Sequence, residues 1–324
     1  MIAIHIGQVS VAIAYFATYT YAGRMTDSLD WPLEAALDSD ADGRWSQPGS
    51  NICLDFHGDP IKAQLVVFSD GNHHMALQAC LQEFLQQHPE IQDIFYATTP
   101  PSVISSILKN GQIVLGNLAL SRLPDIFISP PNILQQLKND GLLGSHQLFM
   151  RSRGNVFLVR KNNPKHICSI EDLLRNDVRL FISNPVTERA SYIVYEKAIT
   201  TIAQDQGIDS RTIADFLENA SGNIVYGDRI HHREAPQCLF EHKADVAVIY
   251  YHLALRYTRI FPDLFDIVPL QGNDIEPQAS DNHVVTDYHI GMVGDGGRWG
   301  SELLDFMLSD FVTQCYAQHG LQRP

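Results

Sequence analysis

Residues 65–77, LVVFSDGNHHMAL, decide the fold of this chain. A short apolar run is followed by a polar turn at Gly71, and an amphipathic helix begins near Asn72. A buried strand that passes through a tight turn into a helix aims free backbone N–H groups at one point. Many α/β proteins bind an anion in this way at the carboxyl edge of a sheet. The stretch therefore predicts an α/β fold with an anion-binding cleft.

The composition predicts a globular protein with an acidic surface. The chain has 324 residues, 45% of them hydrophobic and 19% charged, and its formal net charge is −14. This length is sufficient for two domains. An acidic surface repels nucleic acid and anionic membranes, so we expect no nucleic-acid partner and no membrane insertion. It does not exclude an anionic ligand, because helix N-termini bind anions on acidic proteins too.

The first 60 residues form a lead-in segment that lacks the regular alternation of strand and helix patterns found in the rest of the chain. Residues 9–22 are apolar and resemble a secretory signal, but no Lys or Arg precedes Arg24. An acidic linker with little apolar periodicity follows this segment. The resemblance described below favours the periplasm, whereas the poor signal and five scattered cysteines favour the cytoplasm. The localisation stays open.

From Lys62 onward, strands and helices alternate, which predicts sheets covered by helices on both faces. There are too many such units for one sheet, so we expect a two-lobed α/β fold. Each lobe is predicted as a mixed, mostly parallel sheet flanked by helices, with the ligand cleft between the lobes. Residues 61–150 plus 258–324 are assigned to lobe 1 and residues 151–257 to lobe 2. Helices are predicted over Pro236–His242 and, as one long element, over Gly300–His319.

The order of the motifs resembles the type II periplasmic solute-binding proteins, in particular their molybdate- and tungstate-binding branch. The resemblance covers residues 64–321 and rests on strand ends, polar turns and a final helix. The segments that carry it are Phe68–Asn72, Phe95–Ser102, Pro124–Ser129, Asn155–Arg160, Phe181–Pro185, Asp245–Tyr250, Leu304–Asp310 and Tyr316–Gly320. It implies a small anionic ligand, either an oxyanion such as molybdate or tungstate or a carboxylate, that is captured by lobe closure. It also implies an ABC permease as partner, and we expect a monomer.

The resemblance implies ligand contacts from four loops around the cleft. The implied residues are Asn72, His73, Thr98, Thr99, Ser102, Arg189, Ser191, His232, Arg233 and Tyr250. Several of them have an ordinary structural interpretation as well. Asn72 is also a good helix N-cap, Arg189 and Ser191 also fit helix capping and a surface ion pair, and Tyr250 also fits the core. The chain departs from the branch at Pro100–Pro101, where two backbone donors are lost.

Two adjacent pairs of histidines flank the predicted cleft, His73–His74 and His231–His232. They are candidates for hydrogen bonding to the ligand, for a transition metal, or for simple packing. Adjacent side chains point in different directions, so we expect one member of each pair to face away. The spacing does not match a metalloenzyme motif, and we predict neither a bound metal nor a cofactor.

The sequence contains none of the common catalytic signatures, so we predict no catalytic residues and expect a protein that is not an enzyme. Two alternatives remain open. One is a cytoplasmic sensor or delivery protein with the same fold. The other is an enzyme or metal-binding protein that uses the His-rich cleft, with a histidine and Glu188 or Glu234 as acid and base.

Overall fold

The computed structural model describes residues 55–70, 74–99, 101–115, 118–218, 222–228, 230–271 and 284–324. Most of the predicted lead-in lies outside the described residues, and so does the apolar run over residues 9–22. The end of the lead-in takes part in the fold, since Asp55–His57 forms the first strand.

Seven of the described strands form the first sheet, in the spatial order β1-β3-β2-β6-β13-β7-β14. Their bounds are β1 Asp55–His57, β2 Leu65–Ser69, β3 Ile94–Thr98, β6 Ile126–Ser129, β7 Leu143–Ser152, β13 Asp287–Val293 and β14 Leu321–Gln322. A separate two-stranded ribbon pairs β4 (Ile113–Leu115) with β5 (Leu118–Leu120). The second sheet has the order β10-β9-β11-β8-β12 among the described residues. Its strands are β8 Asn155–Arg160, β9 Leu180–Ile182, β10 Ile224–Tyr226, β11 Val246–Tyr250 and β12 Phe265–Pro269.

Helices cover both sheets. Those of the first lobe are α1 His74–Gln87, α2 Pro101–Asn110, α3 Pro131–Asn139, α8 Gly300–Met307 and α9 Asp310–Gln318. Those of the second lobe are α4 Arg189–Asp205, α5 Ser210–Leu217, α6 His231–Phe240, α7 Tyr251–Ile260 and a short 3-10 helix at Glu171–Leu174. Among the described helices, none is both long and apolar enough to cross a lipid bilayer.

Strand β2 shows how the first sheet acquires a core on each face. Alternate side chains of a strand point to opposite faces. Leu65 and Val67 pack with the core that involves α1, α8 and α9, whereas Val66 and Phe68 pack with the core under α2 and α3. The second lobe has a core of its own, in which α4 to α7 pack on the second sheet. These observations confirm the predicted two-lobed α/β fold with mixed sheets.

Parallel pairing is less extensive than predicted. Among the described pairs, β2 is parallel to β3 and β6, and β9 is parallel to β10 and β11. The other pairs of both large sheets are antiparallel. The reason lies in the chain path. Strands β8 and β13 each follow a passage between the lobes, so they start at the cleft edge where the parallel strands end, and they run in the opposite direction.

The passages between the lobes also determine which residues belong to each sheet. The first passage is the short turn between β7 and β8. Strand β12 then pairs with β8, with Ile267 opposite Leu158, so residues 265–269 lie in the second sheet. The sequence instead predicts that residues 258–324 belong to the first lobe. The difference arises because helix α7, which was not predicted, keeps the chain in the second lobe after β11.

The predicted long C-terminal helix is instead two helices, α8 and α9. The chain leaves the helical conformation at Ser309, whose φ of −71° and ψ of 162° are extended. The Ser309 hydroxyl accepts a hydrogen bond from the Val312 N–H at 3.4 Å and so caps α9. A serine within an apolar helical pattern is thus an N-cap here, which periodicity alone does not reveal.

Candidate functional site

The carboxyl ends of strands from both lobes meet at one cleft. Thr98 ends β3 in the first lobe, and Arg233 lies in the first turn of α6 in the second lobe. The Arg233 guanidinium donates from Nη2 to the Thr98 carbonyl oxygen at 3.3 Å. Near the passage between lobes, the Tyr250 hydroxyl at the end of β11 lies 3.2 Å from Thr286 Oγ1. The contact between Arg233 and Thr98 brings the end of β3 and the start of α6 face to face.

Three serine hydroxyls are buried at strand ends around this cleft. Ser69 ends β2, Ser129 ends β6 and Ser183 directly follows β9, and each is 0% exposed. None of the three Oγ atoms has a hydrogen-bond partner within the described part of the chain. A buried polar group without a partner costs about 1–3 kcal/mol. Such groups at the ends of several strands are typical of a site that a bound molecule or water completes.

These serines were absent from the predicted site, although the sequence contains a signal for them. In each case an apolar strand ends directly in serine, at Phe68–Ser69, Ile128–Ser129 and Ile182–Ser183. Ser69 and Ser129 take the last strand position, where the backbone still pairs in the sheet, and Ser183 is the first residue after its strand. Each serine side chain then lies at the edge that faces the other lobe.

The predicted residues of the first lobe lie at the ends of β2 and β3. Thr98 and Thr99 are fully buried, and the Thr99 N–H donates to the Ser69 carbonyl at 3.0 Å. This bond holds the two strand ends side by side. Asn72 and His73 lie outside the described residues, as do the side chains of His74 and Ser102.

The predicted residues of the second lobe are spread more widely. Arg189 begins α4 and is exposed, whereas Ser191 is half-buried two residues later. Arg233 is half-buried and reaches the first lobe. The structure therefore brings Arg233 and Thr98 into contact and leaves the Arg189 side chain in solvent.

The N-terminus of α6 is occupied by carboxylates of the chain itself. Both Glu188 carboxylate oxygens lie 3.0 Å from the His231 backbone nitrogen, which donates to them. The Glu234 carboxylate accepts from the N–H groups of Asp228 and Ile230, at 2.8 Å and 3.0 Å. Carboxylates are stabilised by a helix N-terminus in this position. A ligand anion at this site would have to compete with two internal ones.

Glu188 is an unusual acid in this arrangement. Burial raises its pKa to about 7, the nearby Glu234 carboxylate adds to the rise, and the His231 N–H opposes it. Gly227 packs closely against it, because an added Cβ there would lie 3.1 Å from Glu188 Oε2. Glu188 is therefore packed against the N-terminus of α6, and its carboxyl group titrates near neutral pH.

The two histidines at the start of α6 have different environments. His231 is completely buried, its ring stacks on Phe181 with a centroid distance of 4.9 Å, and Tyr195 packs against it. Burial lowers the pKa of His231 to about 3, so its imidazole is neutral. His232 is only half-buried and lies beside Arg233. Of the two, His232 is thus the one that a ligand in the cleft can approach.

Tyr250 lies between core and cleft. It is buried, its ring packs against Tyr195 and stacks on His252, and its hydroxyl pairs with Thr286. Burial raises the pKa of Tyr250 to about 12, so the hydroxyl is neutral at physiological pH. It therefore offers a neutral hydroxyl close to the passage between the lobes.

A proline inside α6 places a further constraint on this region. Pro236 lacks the N–H that would bond to the carbonyl of His232, four residues earlier. The Tyr257 hydroxyl of α7 donates to that carbonyl instead. Helix α6 begins at His231, five residues before the predicted start at Pro236, and Tyr257 of α7 supplies the missing donor.

The described residues contain no group of three or more His, Cys, Asp or Glu side chains able to hold a metal ion. His231 and His232, two of the candidate metal ligands, belong to no such group there. The site so described is built from hydroxyl groups and one arginine.

The family model of the bacterial extracellular solute-binding proteins matches residues 65–322. The chain belongs to this family. As a solute-binding protein it is expected to use the cleft between its lobes, and the match includes every described residue of that cleft discussed above. No curated protein matches the chain significantly.

Solved structures share the fold of this solute-binding protein at low sequence identity. The sulfate-binding protein SubI from Mycobacterium tuberculosis H37Rv is 17% identical with a TM-score of 0.58, covering 79% of this chain and 85% of SubI. The periplasmic molybdate-binding protein of Azotobacter vinelandii is 14% identical with a TM-score of 0.56, covering 80% and 99%. PEB3 of Campylobacter jejuni, solved with L-phospholactate bound, is 14% identical with a TM-score of 0.57, covering 80% and 100%.

Proposed function

We propose that this protein captures a small anion between its two lobes and delivers it to an ABC permease. The ligand is a molybdate- or tungstate-like oxyanion or a carboxylate. The observation that carries the proposal is the set of three buried strand-end hydroxyls, Ser69, Ser129 and Ser183, contributed by both lobes. Neutral donors of this kind bind an anion without the desolvation cost of a buried cation.

Arg233 supplies the positive charge in this proposal. It already reaches from the second lobe to the Thr98 carbonyl of the first, so a ligand bound between the lobes would contact it on closure. The N-terminus of α6 is less suited to the ligand charge, because Glu188 and Glu234 accept its N–H groups. We therefore assign the anion to the hydroxyls and Arg233. Thr98, Thr99, Ser191, His232 and Tyr250 are proposed to line the cleft around it.

The three solved structures described above support an anionic ligand without selecting one. Their ligands are sulfate, molybdate and L-phospholactate, which are an inorganic dianion, a metal oxyanion and an organic phosphate with a carboxylate. The molybdate- and tungstate-binding branch is one candidate among these. We further propose a monomer that acts outside the cytoplasm and binds its ligand without chemical change.

Isothermal titration calorimetry tests the ligand class directly. The full chain is titrated with molybdate, tungstate, sulfate, phosphate and L-phospholactate. We expect one of them to bind with one-to-one stoichiometry, and Ser183→Ala to weaken it about tenfold, as for a hydrogen bond to a charged group. Ser145→Ala is the matched control, since Ser145 is exposed on β7. Absence of binding by all five, or equal affinity of Ser183→Ala and wild type, would contradict the proposal.

A further inference from the structure

A pair of histidines outside the proposed anion contacts lies on the first sheet, under helix α3. His146 on β7 and His289 on β13 point toward each other from adjacent antiparallel strands. Their Nδ1 atoms are 2.8 Å apart. His289 is paired with Ser129, so the cluster begins at the strand end that borders the cleft. The proposed function does not use either histidine.

A glycine makes room for this approach. The cross-strand neighbour of His146 is Gly291, two residues after His289 on the same face of the strand. A Cβ at Gly291 would lie 3.0 Å from His146 Cβ, which is closer than side chains normally approach. The His146 ring can therefore lie across Gly291 toward His289.

A third side chain fixes the tautomer of His146. Its Nε2 lies 3.3 Å from Gln135 Oε1 of α3, and an amide oxygen only accepts, so Nε2 carries the proton. The His146 Nδ1 lone pair then accepts a hydrogen bond from the His289 Nδ1–H, and this proton must move to His289 Nε2 when a metal ion binds. An outer hydrogen bond of this kind is how proteins orient histidines that bind metals.

Two charged side chains of opposite sign lie next to the histidine pair. Lys138 of α3 faces His146, and Asp287 of β13 faces His289 while its carboxylate also pairs with Arg151. Burial lowers the pKa of both imidazoles, and their proximity lowers that of His146 further.

The distance between the two nitrogens favours a particular coordination geometry. Metal–imidazole bonds of about 2.05 Å from two nitrogens 2.8 Å apart enclose an angle of about 86° at the ion. That angle fits two neighbouring positions of a tetragonal complex, which Cu²⁺ and Ni²⁺ prefer. A tetrahedral Zn²⁺ site would need the nitrogens to separate to roughly 3.3 Å.

We propose that His146 and His289 form a bidentate site for a tetragonal divalent ion, Cu²⁺ above all, held in place by Gln135 and made possible by Gly291. The remaining positions of the ion are taken by water. The site uses neither Arg233 nor a strand-end hydroxyl, although His289 lies opposite Ser129, so copper binding and anion binding are tested separately.

Copper titration of the full chain, after removal of metals with a chelator, tests the site. We expect His146→Gln and His289→Gln each to weaken Cu²⁺ binding at least tenfold, because either change breaks the chelate. Gln135→Leu should weaken it by roughly tenfold through the loss of orientation. His166→Asn is the control, since His166 is exposed and Asn tolerates its φ of 51°. Circular dichroism in chelator checks that each variant folds.

Two measurements on the wild-type chain need no variant. Pulsed electron paramagnetic resonance should show two imidazole nitrogens coupled to one Cu²⁺ ion in an axial spectrum. Diethyl pyrocarbonate labelling should show that Cu²⁺ protects His146 and His289 together. The proposal would be overturned if both histidine variants bound Cu²⁺ with an affinity within twofold of wild type. It would also be overturned if Cu²⁺ did not change the extent of labelling at His146 and His289.

Discussion

The Arg233 guanidinium of the second lobe donates to the Thr98 carbonyl of the first lobe across 3.3 Å. Thr98 ends strand β3, and Arg233 lies in the first turn of α6. A hydrogen bond between two lobes stabilises the arrangement in which the lobes are close. The same guanidinium is the cation that we assign to the ligand, so it links closure of the cleft with binding.

Loss of this link should open the cleft. We expect Arg233→Ala to shift the population of the ligand-free protein toward more open forms by about 1 kcal/mol, a typical value for one hydrogen bond. Small-angle X-ray scattering would record this as a larger radius of gyration. Arg233→Lys keeps the charge but not the fork of donors, so it should lie between wild type and Arg233→Ala. Arg189→Ala serves as the control, because Arg189 is exposed, and a similar expansion in that variant would count against the assignment.

Glu188 should make stability depend on pH in a distinctive direction. Its pKa is raised from the usual 4.5 to about 7 in the folded protein, chiefly by burial. Between these values the unfolded chain releases a proton that the folded chain keeps, so stability falls as the pH rises from about 4.5 to 7. Glu188→Gln removes this loss while its amide oxygen can still accept from the His231 N–H. We expect the variant to gain about 1 kcal/mol relative to wild type between pH 5 and pH 8, a value reduced for solvent screening.

Urea unfolding at several pH values measures this difference. The control is Glu218→Gln, because Glu218 is exposed at the end of α5 and should behave like wild type at each pH. A difference between Glu188→Gln and wild type that stays constant from pH 5 to pH 8 would show that Glu188 titrates normally.

The strand ends of the first lobe can be predicted from the sequence alone, whereas the contacts at the N-terminus of α6 cannot. An apolar run that ends at Ser69, before a polar turn, is a local pattern, and the structure has β2 there. The bond between Glu188 and His231 joins residues 43 positions apart, and no local pattern specifies it. Helix α7 was missed for a related reason. It follows β11 directly at Tyr251, without a polar turn to mark where the strand ends.

The contact that compensates for the proline in α6 likewise joins residues far apart in the sequence. Its contribution to the free energy of unfolding can be tested. Tyr257→Phe removes the donor that the His232 carbonyl receives in place of the missing Pro236 N–H. We expect a loss of about 1–2 kcal/mol, since a partly buried carbonyl loses the hydroxyl that donates to it. In the Pro236→Ala background the restored N–H can bond to that carbonyl, so Tyr257→Phe should cost about 1 kcal/mol less there.

A double-mutant cycle by urea unfolding gives this coupling energy. Tyr226→Phe provides the control, because the Tyr226 hydroxyl bonds to the Leu217 carbonyl and should cost the same with or without Pro236. If Tyr257→Phe costs the same in both backgrounds, then Tyr257 does not compensate for the proline.

Gly58 should be far less tolerant of substitution than a glycine with the same backbone conformation elsewhere. Its φ is +81°, and an added Cβ would lie only 2.2 Å from the Ile94 carbonyl oxygen at the start of β3. Gly207 has a φ of +76° but nothing within 4 Å of the corresponding position. Gly207→Ala should therefore cost about 1 kcal/mol, the price of the left-handed conformation alone. Gly58→Ala adds a collision with backbone and should cost at least about 2 kcal/mol more, measured by urea unfolding. Gly58→Ala should also speed amide hydrogen exchange in β1, because the collision forces β1 away from β3. If the two substitutions lowered the free energy of unfolding equally, then β1 would contribute little to the stability of the fold.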